Sequence, residues 1–411
     1  MTDVWRQRLS AIILLRCDAH PWLPLAFWAP VAAASMAAAM FAAAQPGAMQ
    51  DLWQVRDWLS AWRDGARPYA LFAGEIDYPP VAFLVLWPMS LTSDDTVAFW
   101  FLPVMIAMLA AGTWLLVGWL DEQLSLSVDW QVKAALVALV LAGGAARTSV
   151  WRGQTVGLAL LLGALALRWG KTRPWAAGIA LALCSFKPHV AAGIGLALVL
   201  LNGLPAVAVA AAVVGVLSLV FAATVGDSLV DITARYAGSL LALYDGPDRV
   251  PGMLSIRWVF GDLATSYATG TAVFLTFTTL ALAMIVASAL QRRDATTLAQ
   301  AAVAAIVWSL LVLPHQLYHA VLAAPALWMM MWPEAQVLRR HSIRLAAVGA
   351  YVAFSVLDVP RTTRLLMEPS GDAPSLWGAS YYFSPFRMVI LLLLLLVVLV
   401  RRAWTGERRP A

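Results

Sequence analysis

Long apolar runs separated by short polar loops recur along the whole chain. A segment that crosses a bilayer needs about 20 mostly apolar residues, or fewer where neighbours cover a broken helix. The runs predicted to cross are 25–44, 96–120, 132–146, 155–169, 175–186, 190–201, 206–225, 268–290, 298–313, 317–332, 345–357 and 388–400. The apolar piece 79–91 is short and is expected to be a re-entrant or partial segment. The pattern therefore predicts an all-α polytopic membrane protein with about twelve transmembrane helices.

A different periodicity occurs in the first long polar loop, residues 45–78. Apolar side chains from Leu52 to Trp62 recur at helical spacing, whereas Arg56 and Asp57 fall elsewhere on the helical wheel. Trp58 and Trp62 are of the residue type that lies at the boundary between membrane and water. This loop is therefore predicted to contain an amphipathic helix that lies in the membrane interface.

The composition excludes a soluble protein. Hydrophobic residues make up 62% of the 411 residues and charged residues only 12%, about half of the roughly 25% found in soluble domains. Because so much apolar surface has to face lipid, residues 1–411 are predicted to form a single integral membrane domain. The net charge of +5 needs no nucleic-acid partner, since basic residues orient the loops of membrane proteins.

The basic residues predict the orientation in the membrane. Pairs such as Arg292-Arg293, Arg339-Arg340 and Arg401-Arg402 occur in alternate loops with few acids beside them. Such loops lie on the cytoplasmic side, so both termini are expected in the cytoplasm of a bacterial cell with the protein in its inner membrane. The loops then predicted to lie on the periplasmic side are 45–78, 226–258 and 358–386.

Unusual polar residues fall on this predicted outward face. An ionisable group beside hydrocarbon is costly unless it faces a polar cavity, so each is a functional candidate. Asp51 stands at the start of the predicted amphipathic helix, where an acid serves either as a helix cap or as a catalytic base. Further on, Pro68-Tyr69 and Tyr78-Pro79-Pro80 fix the chain in extended turns before the short segment.

Two more polar motifs interrupt apolar runs. In Trp151-Arg152-Gly153-Gln154 the glycine permits a close backbone approach, and the amide both donates and accepts hydrogen bonds, as a sugar site requires. The alternative for this motif is a polar helix start. In Lys187-Pro188-His189 the lysine needs an anion such as a lipid phosphate, with Arg147 or Arg152 as helpers, unless it snorkels to the interface.

A histidine pair follows the ninth predicted crossing, in the stretch Pro314-His315-Gln316-Leu317-Tyr318-His319. His315 and His319 are four residues apart and share one face if the segment is helical. Such a pair can bind zinc, but no third ligand at a recognisable spacing and no HExxH motif accompany it. We therefore predict hydrogen bonding to a phosphate or a sugar, and no metal site.

Taken in order, these motifs resemble glycosyltransferase family 87, which comprises polyprenyl-phosphate-mannose-dependent mannosyltransferases and their relatives. The matching residues are Asp51, Pro68-Tyr69, Tyr78-Pro79-Pro80, Gly153-Gln154, Lys187-Pro188, Pro314-His315 and Tyr318-His319. The resemblance implies the C-type membrane glycosyltransferase fold, an outward-facing site, a polyprenyl-phosphate sugar donor, and a lipid or glycan acceptor. It implies neither a nucleotide sugar nor a cofactor or obligatory metal. It also implies that Asp51 is the base and that His315 or His319 lies at the site.

The expected mechanism is a single displacement that inverts the anomeric configuration. Asp51 removes a proton from the acceptor hydroxyl, and Asp57 or Asp77 is the substitute if Asp51 proves dispensable. Contacts to the donor phosphate are expected from Lys187, Arg152, Arg147, His315 and His319. Contacts to the substrates are expected from Tyr69, Tyr78, Gln154, His189 and Tyr318.

Two positions depart from the family pattern. The stretch Gly252-Met253-Leu254-Ser255 stands where the family often has Asn-x-Ser, and Thr155 follows Gly153-Gln154 where Val or Ile is commoner. Both departures leave the substrate open. Two other functions share the same features. A transporter or lipid flippase is disfavoured by the lack of a convincing internal repeat, and a non-catalytic partner in envelope polysaccharide assembly is the third alternative.

Overall fold

The regular structure of this protein is helical throughout the part that the computed structural model describes, which is residues 20, 22–245, 267–313, 315–332, 341–352, 393 and 396–400. The first helices are α1 Leu23–Ala43, α2 Gln50–Arg63, α3 Pro68–Leu71, α4 Pro80–Leu86, α5 Asp94–Leu124, α6 Trp130–Ala142, α7 Gly144–Arg152 and α8 Val156–Trp169. They are followed by α9 Pro174–Cys184, α10 Pro188–Leu200, α11 Leu204–Val225, α12 Leu229–Asp245, α13 Tyr267–Gln291, α14 Ala295–Val312, α15 Ala324–Met331 and α16 His341–Tyr351. Two 3₁₀ turns, Trp87–Ser90 and Leu317–Ala323, follow α4 and precede α15.

Several of these helices are suited to a bilayer. Among the described residues, five spans are long and apolar enough to cross it, and they lie in α1, α5, α11, α13 and α14. Helices α6 and α7, bent by 58° at their break, make a sixth if they count as one span. Five apolar helices are shorter, at 10–17 residues. The chain is therefore an integral membrane protein with an all-α polytopic fold, while the count of twelve crossings stays a prediction.

Helix α11 illustrates how a span divides its surface between lipid and protein. Val216 and Leu219 are exposed, whereas Phe221 is fully buried on the side that faces the protein. In water an exposed apolar surface of this kind would drive association, but in a bilayer it contacts acyl chains that are equally apolar. The exposed apolar residues therefore mark the lipid-facing side of this span.

The structure corrects two predicted crossings. The run 132–146 is not one helix, because the backbone is extended at Gly143 and a separate helix begins at Gly144. The run 317–332 starts as a 3₁₀ turn, and only its second part is α-helical. The loop 226–258, predicted to lie on the outward side, contains helix α12, which the apolar pattern did not indicate. The predicted loop 358–386 and most of the run 388–400 lie outside the described residues.

By compactness the chain divides into two units. The first unit comprises Met1–Ala42, Thr113–Thr148 and Gly252–Ala411, and the second comprises Ala43–Gly112 and Ser149–Pro251.

Glycines allow close helix packing in the second unit. A Cβ atom added to Gly157 would lie 2.6 Å from the carbonyl oxygen of Met105, which joins α8 to α5. One added to Gly178 would lie 2.5 Å from Cβ of Val209, which joins α9 to α11. Small residues permit such close approach of helices. Within a membrane this matters because helices associate through van der Waals packing and not through the hydrophobic effect.

The first unit contains a buried charge network. Nζ of Lys133, on α6, lies 2.5 Å from Oδ2 of Asp121, and Nε1 of Trp328 donates to Oδ1 of the same carboxylate at 2.8 Å. The Asp121 side chain is only 5% exposed. A charge at this depth persists where it is paired and hydrogen-bonded, so these three residues fix the end of α5 against α6 and α15.

Two arginines of α2 hold the short segment made by α4 and the 3₁₀ turn that follows it. Arg56 donates to the carbonyl oxygens of Met89 and Thr92 at 2.7 and 2.9 Å, and Arg63 donates to that of Ser90 at 2.7 Å. We call Arg56 and Arg63 the arginine clasp. Helical carbonyls at a C-terminus lack partners within the helix. The clasp supplies the carbonyl oxygens of Met89, Ser90 and Thr92 with donors and so fixes the end of the segment to α2.

The amphipathic character of α2 is confirmed, but two of its residues were assigned to the wrong surface. Arg56 is 8% exposed and Trp58 is 3% exposed, although the helical wheel placed Arg56 on a polar face and Trp58 at the membrane boundary. Both are buried because the short segment covers this side of α2 and gives Arg56 acceptors. That α2 lies in the membrane interface stays a prediction.

Candidate functional site

In the second unit, Asp51 contacts two of the predicted polar residues. It is the second residue of α2, and Nη1 of Arg152 lies 3.3 Å from its Oδ1. Nε2 of Gln154 donates to its Oδ2. The N-cap position of α2 is Met49, and no side chain caps it. Asp51 is therefore not the helix cap, and its carboxylate, 19% exposed, is held by side chains from the end of α7 and the turn that follows it.

Gly153 makes these contacts possible. Its φ of +69° lies in the left-handed region, and a Cβ atom there would meet Cβ of Leu52 at 2.7 Å and Cβ of Met49 at 3.2 Å. The N–H of Met49 also donates to the carbonyl oxygen of Trp151 at 3.0 Å. The predicted close approach of the backbone is thus confirmed, and its partner is the first turn of α2.

Lys187 extends the array from the turn between α9 and α10. Its Nζ donates to Oε1 of Gln154 at 2.7 Å and lies 4.7 Å from the centre of the Tyr78 ring. The residue is only 4% exposed, so it does not snorkel into water. Burial lowers the pKa of Lys187 to about 8, because a low dielectric disfavours the ammonium, while the charges of Asp77 and Asp51 act in the opposite direction.

Tyrosines surround the lysine. The hydroxyl of Tyr78 lies 3.3 Å from Oγ1 of Thr155, and its ring stacks on Phe186 at 6.4 Å between centres. The hydroxyl of Tyr69 donates to the backbone carbonyl of Tyr78 at 2.6 Å. Burial raises the pKa of both tyrosines well above the ordinary value, so both hydroxyls stay protonated. The departure at Thr155 is therefore part of the packing around Tyr78.

Helix α12 supports the loop that carries Tyr78, and sequence reasoning missed it. The hydroxyl of Tyr236 donates to the carbonyl oxygen of Asp77 at 3.4 Å, and the N–H of Gly74 donates to Oγ of Ser239 at 3.3 Å. The available signal was the helical spacing of Ile232, Tyr236 and Ser239, which all face the protein. It was overlooked because the stretch is too polar to resemble a crossing.

The first unit holds the late histidine pair. The rings of His315 and His319 are 4.9 Å apart, and that of Tyr318 lies 4.4 Å from His319. Nδ1 of His319 accepts from the N–H of Gln316 at 3.1 Å. The predicted helical register is wrong, since a 3₁₀ turn begins at Leu317, after His315. The two rings are nevertheless neighbours, and both are buried.

The remaining two predicted residues lie one in each unit. Arg147, in the first unit, donates to Oγ of Ser35 at 3.1 Å and to the carbonyl oxygen of Ala142 at 2.5 Å. These bonds tie α7 to the end of α6 and to α1. His189, in the second unit, is partly buried in the first turn of α10. Phosphate binding by Arg147 and substrate binding by His189 stay predictions.

An apolar cavity adjoins Tyr78 in the second unit. It is a partly open cleft between α2 and α4 with an accessible volume of about 10 Å³, and it is lined by Val55, Trp58, Leu59, Tyr78, Ala82, Phe83 and Leu86. The polar array and this apolar space therefore meet at one tyrosine.

The array in the second unit combines a carboxylate with two cations and an amide. A carboxylate within reach of a hydroxyl can accept its proton, and fixed cations stabilise negative charge that develops on a leaving group. Among the predicted residues, the structure brings together Asp51, Arg152, Gln154, Lys187 and Tyr78, with Tyr69 behind Tyr78.

The chain matches the model of Glycosyltransferase family 87 over residues 77–314. This is more than half of its 411 residues, and it includes Tyr78, Arg152, Gln154 and Lys187. The match begins after Asp51 and ends before His315. A search of the curated proteins found no match.

Proposed function

Because this chain belongs to glycosyltransferase family 87, we propose that it transfers a sugar from a polyprenyl-phosphate donor to a lipid or glycan acceptor. Family membership indicates a membrane glycosyltransferase, and a mannose-like hexose is the sugar that we propose. The observation that carries the proposal is the Asp51 carboxylate, which is held beside the cation of Arg152 and linked through Gln154 to that of Lys187.

Asp51 acts as the general base in this proposal. An oxygen of its carboxylate takes the proton of the acceptor hydroxyl while the hydroxyl oxygen bonds to the anomeric carbon of the donor sugar. The bond between that carbon and the phosphate oxygen breaks, and the electron pair leaves with the lipid phosphate. The attack from the opposite side inverts the anomeric configuration. A phosphate is a good leaving group, so no general acid is needed.

The charge that develops on the leaving phosphate needs fixed cations. Arg152 suits this role because its side chain is 22% exposed, so a ligand can reach it. A guanidinium also binds two phosphate oxygens through a pair of parallel hydrogen bonds. Arg147, His315 and His319 of the first unit remain proposed donor-phosphate ligands. Tyr78, His189 and Tyr318 remain proposed substrate contacts, while Tyr69 acts through the carbonyl of Tyr78. The proposed mechanism uses neither a metal nor a nucleotide.

The site lies on the periplasmic side of a bacterial inner membrane in this proposal, with both termini in the cytoplasm. The arginine pairs of the loops predicted to be cytoplasmic support this orientation. Lipid-linked donors reach such a site by diffusion within the bilayer, whereas nucleotide sugars are cytoplasmic and water-soluble.

The test is transfer of label from polyprenyl-phospho-[¹⁴C]mannose to a membrane lipid extract by the purified full-length protein in nanodiscs. The glucose-bearing donor is assayed in parallel. We expect the wild type to form a labelled product, and Asp51→Asn to lower turnover by about 10²–10⁴, the usual contribution of a general base.

Asp64→Asn is the matched control, because Asp64 lies at the other end of α2 with a side chain that is 67% exposed. It should retain wild-type turnover. Near-normal turnover of Asp51→Asn would remove Asp51 as the base, and Asp77→Asn would then be assayed. Movement of labelled donor across the bilayer without any transfer would support a flippase instead.

A further inference from the structure

Three side chains form a continuous polar chain in the second unit. Nζ of Lys187 donates to Oε1 of Gln154 at 2.7 Å, and Nε2 of Gln154 donates to Oδ2 of Asp51. Nη1 of Arg152 lies 3.3 Å from Oδ1. Each oxygen of the carboxylate therefore has its own donor, which restricts rotation of the carboxylate.

The chemistry of the two neighbours determines which way the Gln154 amide points. An ammonium group can only donate hydrogen bonds, and a carboxylate oxygen accepts them. The amide oxygen must therefore face Lys187 and the amide NH₂ must face Asp51. A reversed amide would set NH₂ against NH₃⁺ and a carbonyl oxygen against the carboxylate, so both contacts would become repulsive. The lysine thus selects one of two amide orientations.

Lys187 is itself held in place. Its ammonium lies over the Tyr78 ring at 4.7 Å, which is a favourable cation–π distance, and Pro188 fixes the backbone after it. Lys187 and Gln154 are each 4% exposed. Buried groups that are hydrogen-bonded to each other make strong bonds and have little freedom to rearrange.

We infer that Lys187 and Gln154 are positioning residues, in which the lysine locks the glutamine amide and the amide orients the Asp51 carboxylate toward the acceptor hydroxyl. This inference rests on the proposed role of Asp51 as the base. It differs from the roles first predicted for both residues, since neither then contacts the donor phosphate or the sugar. Their effect passes through Asp51.

A positioning role and a phosphate-binding role predict different kinetics. Loss of a phosphate ligand weakens donor binding and raises KM. Loss of a positioning contact leaves donor binding intact and lowers kcat, because the base acts only in the transition state and not in binding the donor. Two residues that act through one chain also give non-additive effects, since breaking either link releases the same carboxylate.

The experiment measures kcat and donor KM with polyprenyl-phospho-[¹⁴C]mannose for full-length Lys187→Met, Gln154→Met and the double variant. We expect kcat to fall by about 10- to 100-fold in each single variant, as for a base displaced by about 1 Å. Donor KM should stay within about threefold. The double variant should be no slower than the slower single variant.

Two further variants separate positioning from a general loss of structure. Lys187→Arg keeps a donor-only cation and should retain turnover within about tenfold of the wild type. Lys171→Met makes the same change at an exposed lysine in the turn before α9 and should behave as wild type. Any variant that elutes as a misfolded species in size-exclusion chromatography is replaced by Gln154→Glu, which keeps the size of the side chain and sets a second carboxylate against Asp51. That variant should lower kcat at least as far.

The outcomes also separate this inference from the proposed function. A more than tenfold rise in donor KM with unchanged kcat for Lys187→Met would assign the lysine to the phosphate and overturn the inference alone. Multiplied effects in the double variant would also overturn it, because independent residues add in free energy. Wild-type turnover in Asp51→Asn would instead remove the base, and the inference with it.

Discussion

Gly153 offers a demanding test of how the candidate site is built. Its left-handed backbone brings Arg152 and Gln154 onto the first turn of α2, and the added methyl group of Gly153→Ala would lie 2.7 Å from Cβ of Leu52. Real Cβ atoms do not approach that closely, so either the turn or α2 has to move. We expect this one methyl group to lower both stability and turnover.

The magnitude follows from two contributions. An L-residue in the left-handed region costs about 1–2 kcal/mol, and overpacking a close contact costs about 1–3 kcal/mol. Their sum predicts that Gly153→Ala lowers the free energy of unfolding by about 2–5 kcal/mol. A shift of the turn by about 1 Å also moves Gln154 relative to Asp51, so kcat should fall by about 100-fold.

Gly65→Ala is the matched control. Gly65 has a φ of +85°, but no atom lies within 4 Å of the position of its added Cβ. It carries the backbone cost of about 1–2 kcal/mol alone, and it lies at the far end of α2 from Asp51. We therefore expect Gly65→Ala to be somewhat less stable than the wild type and to have the same turnover.

The assay follows unfolding of each variant by SDS in mixed micelles through the fluorescence of the 20 tryptophans, together with sugar transfer in nanodiscs. The difference between the two alanine variants isolates the contact with α2. If Gly153→Ala matched Gly65→Ala in both stability and turnover, the turn would not be pressed against α2, and the described geometry of the site would be wrong.

Two other predictions concern pH and the arginine clasp. Burial lowers the pKa of Lys187 to about 8, so the ammonium loses its proton as pH rises through 8, and turnover should fall in the same range. The guanidinium of Lys187→Arg stays charged, so this variant should keep its turnover to pH 10 in the same pH–rate measurement. Arg56→Met leaves the buried carbonyl oxygen of Met89 and the partly buried one of Thr92 without their charged donor, and it also removes the ion pair with Asp94. It should lower the free energy of unfolding by about 2–3 kcal/mol, measured as SDS-induced unfolding. Arg63→Met removes the bond to Ser90 and an exposed contact with Asp64 from a half-exposed side chain. It should lose less stability, and an equal loss would contradict the larger role given to Arg56.

The residues of the site could be predicted from the sequence because of where each one stands. Asp51, Gln154 and Lys187 are polar groups that flank long apolar runs, and such groups are costly unless they have a use. Their mutual contacts could not be predicted. Gln154 lies between Asp51 and Lys187 only because α2 and the turns after α7 and α9 meet in space, and no spacing along the chain encodes that meeting.

The fold was predictable where hydrophobicity decides it. The spans in α1, α11 and α14 stand out because apolar length is itself the physical requirement for crossing a bilayer. The break at Gly143 was missed because it changes the backbone without changing the hydropathy. Trp58 was misplaced for the opposite reason, since a helical wheel shows which face a side chain takes but not what covers that face.

The arginine clasp has a consequence for how the protein is made. The segment Pro80–Ser90 has 11 residues and spans only about 17 Å, well short of the roughly 30 Å hydrocarbon core. The translocon inserts nascent segments into lipid according to their hydrophobicity, so a segment this short is not expected to be inserted as a transmembrane helix. Helix α2 precedes this segment in the chain, so the guanidinium groups of the arginine clasp are already synthesised when the segment emerges and can receive its carbonyls without its crossing the bilayer.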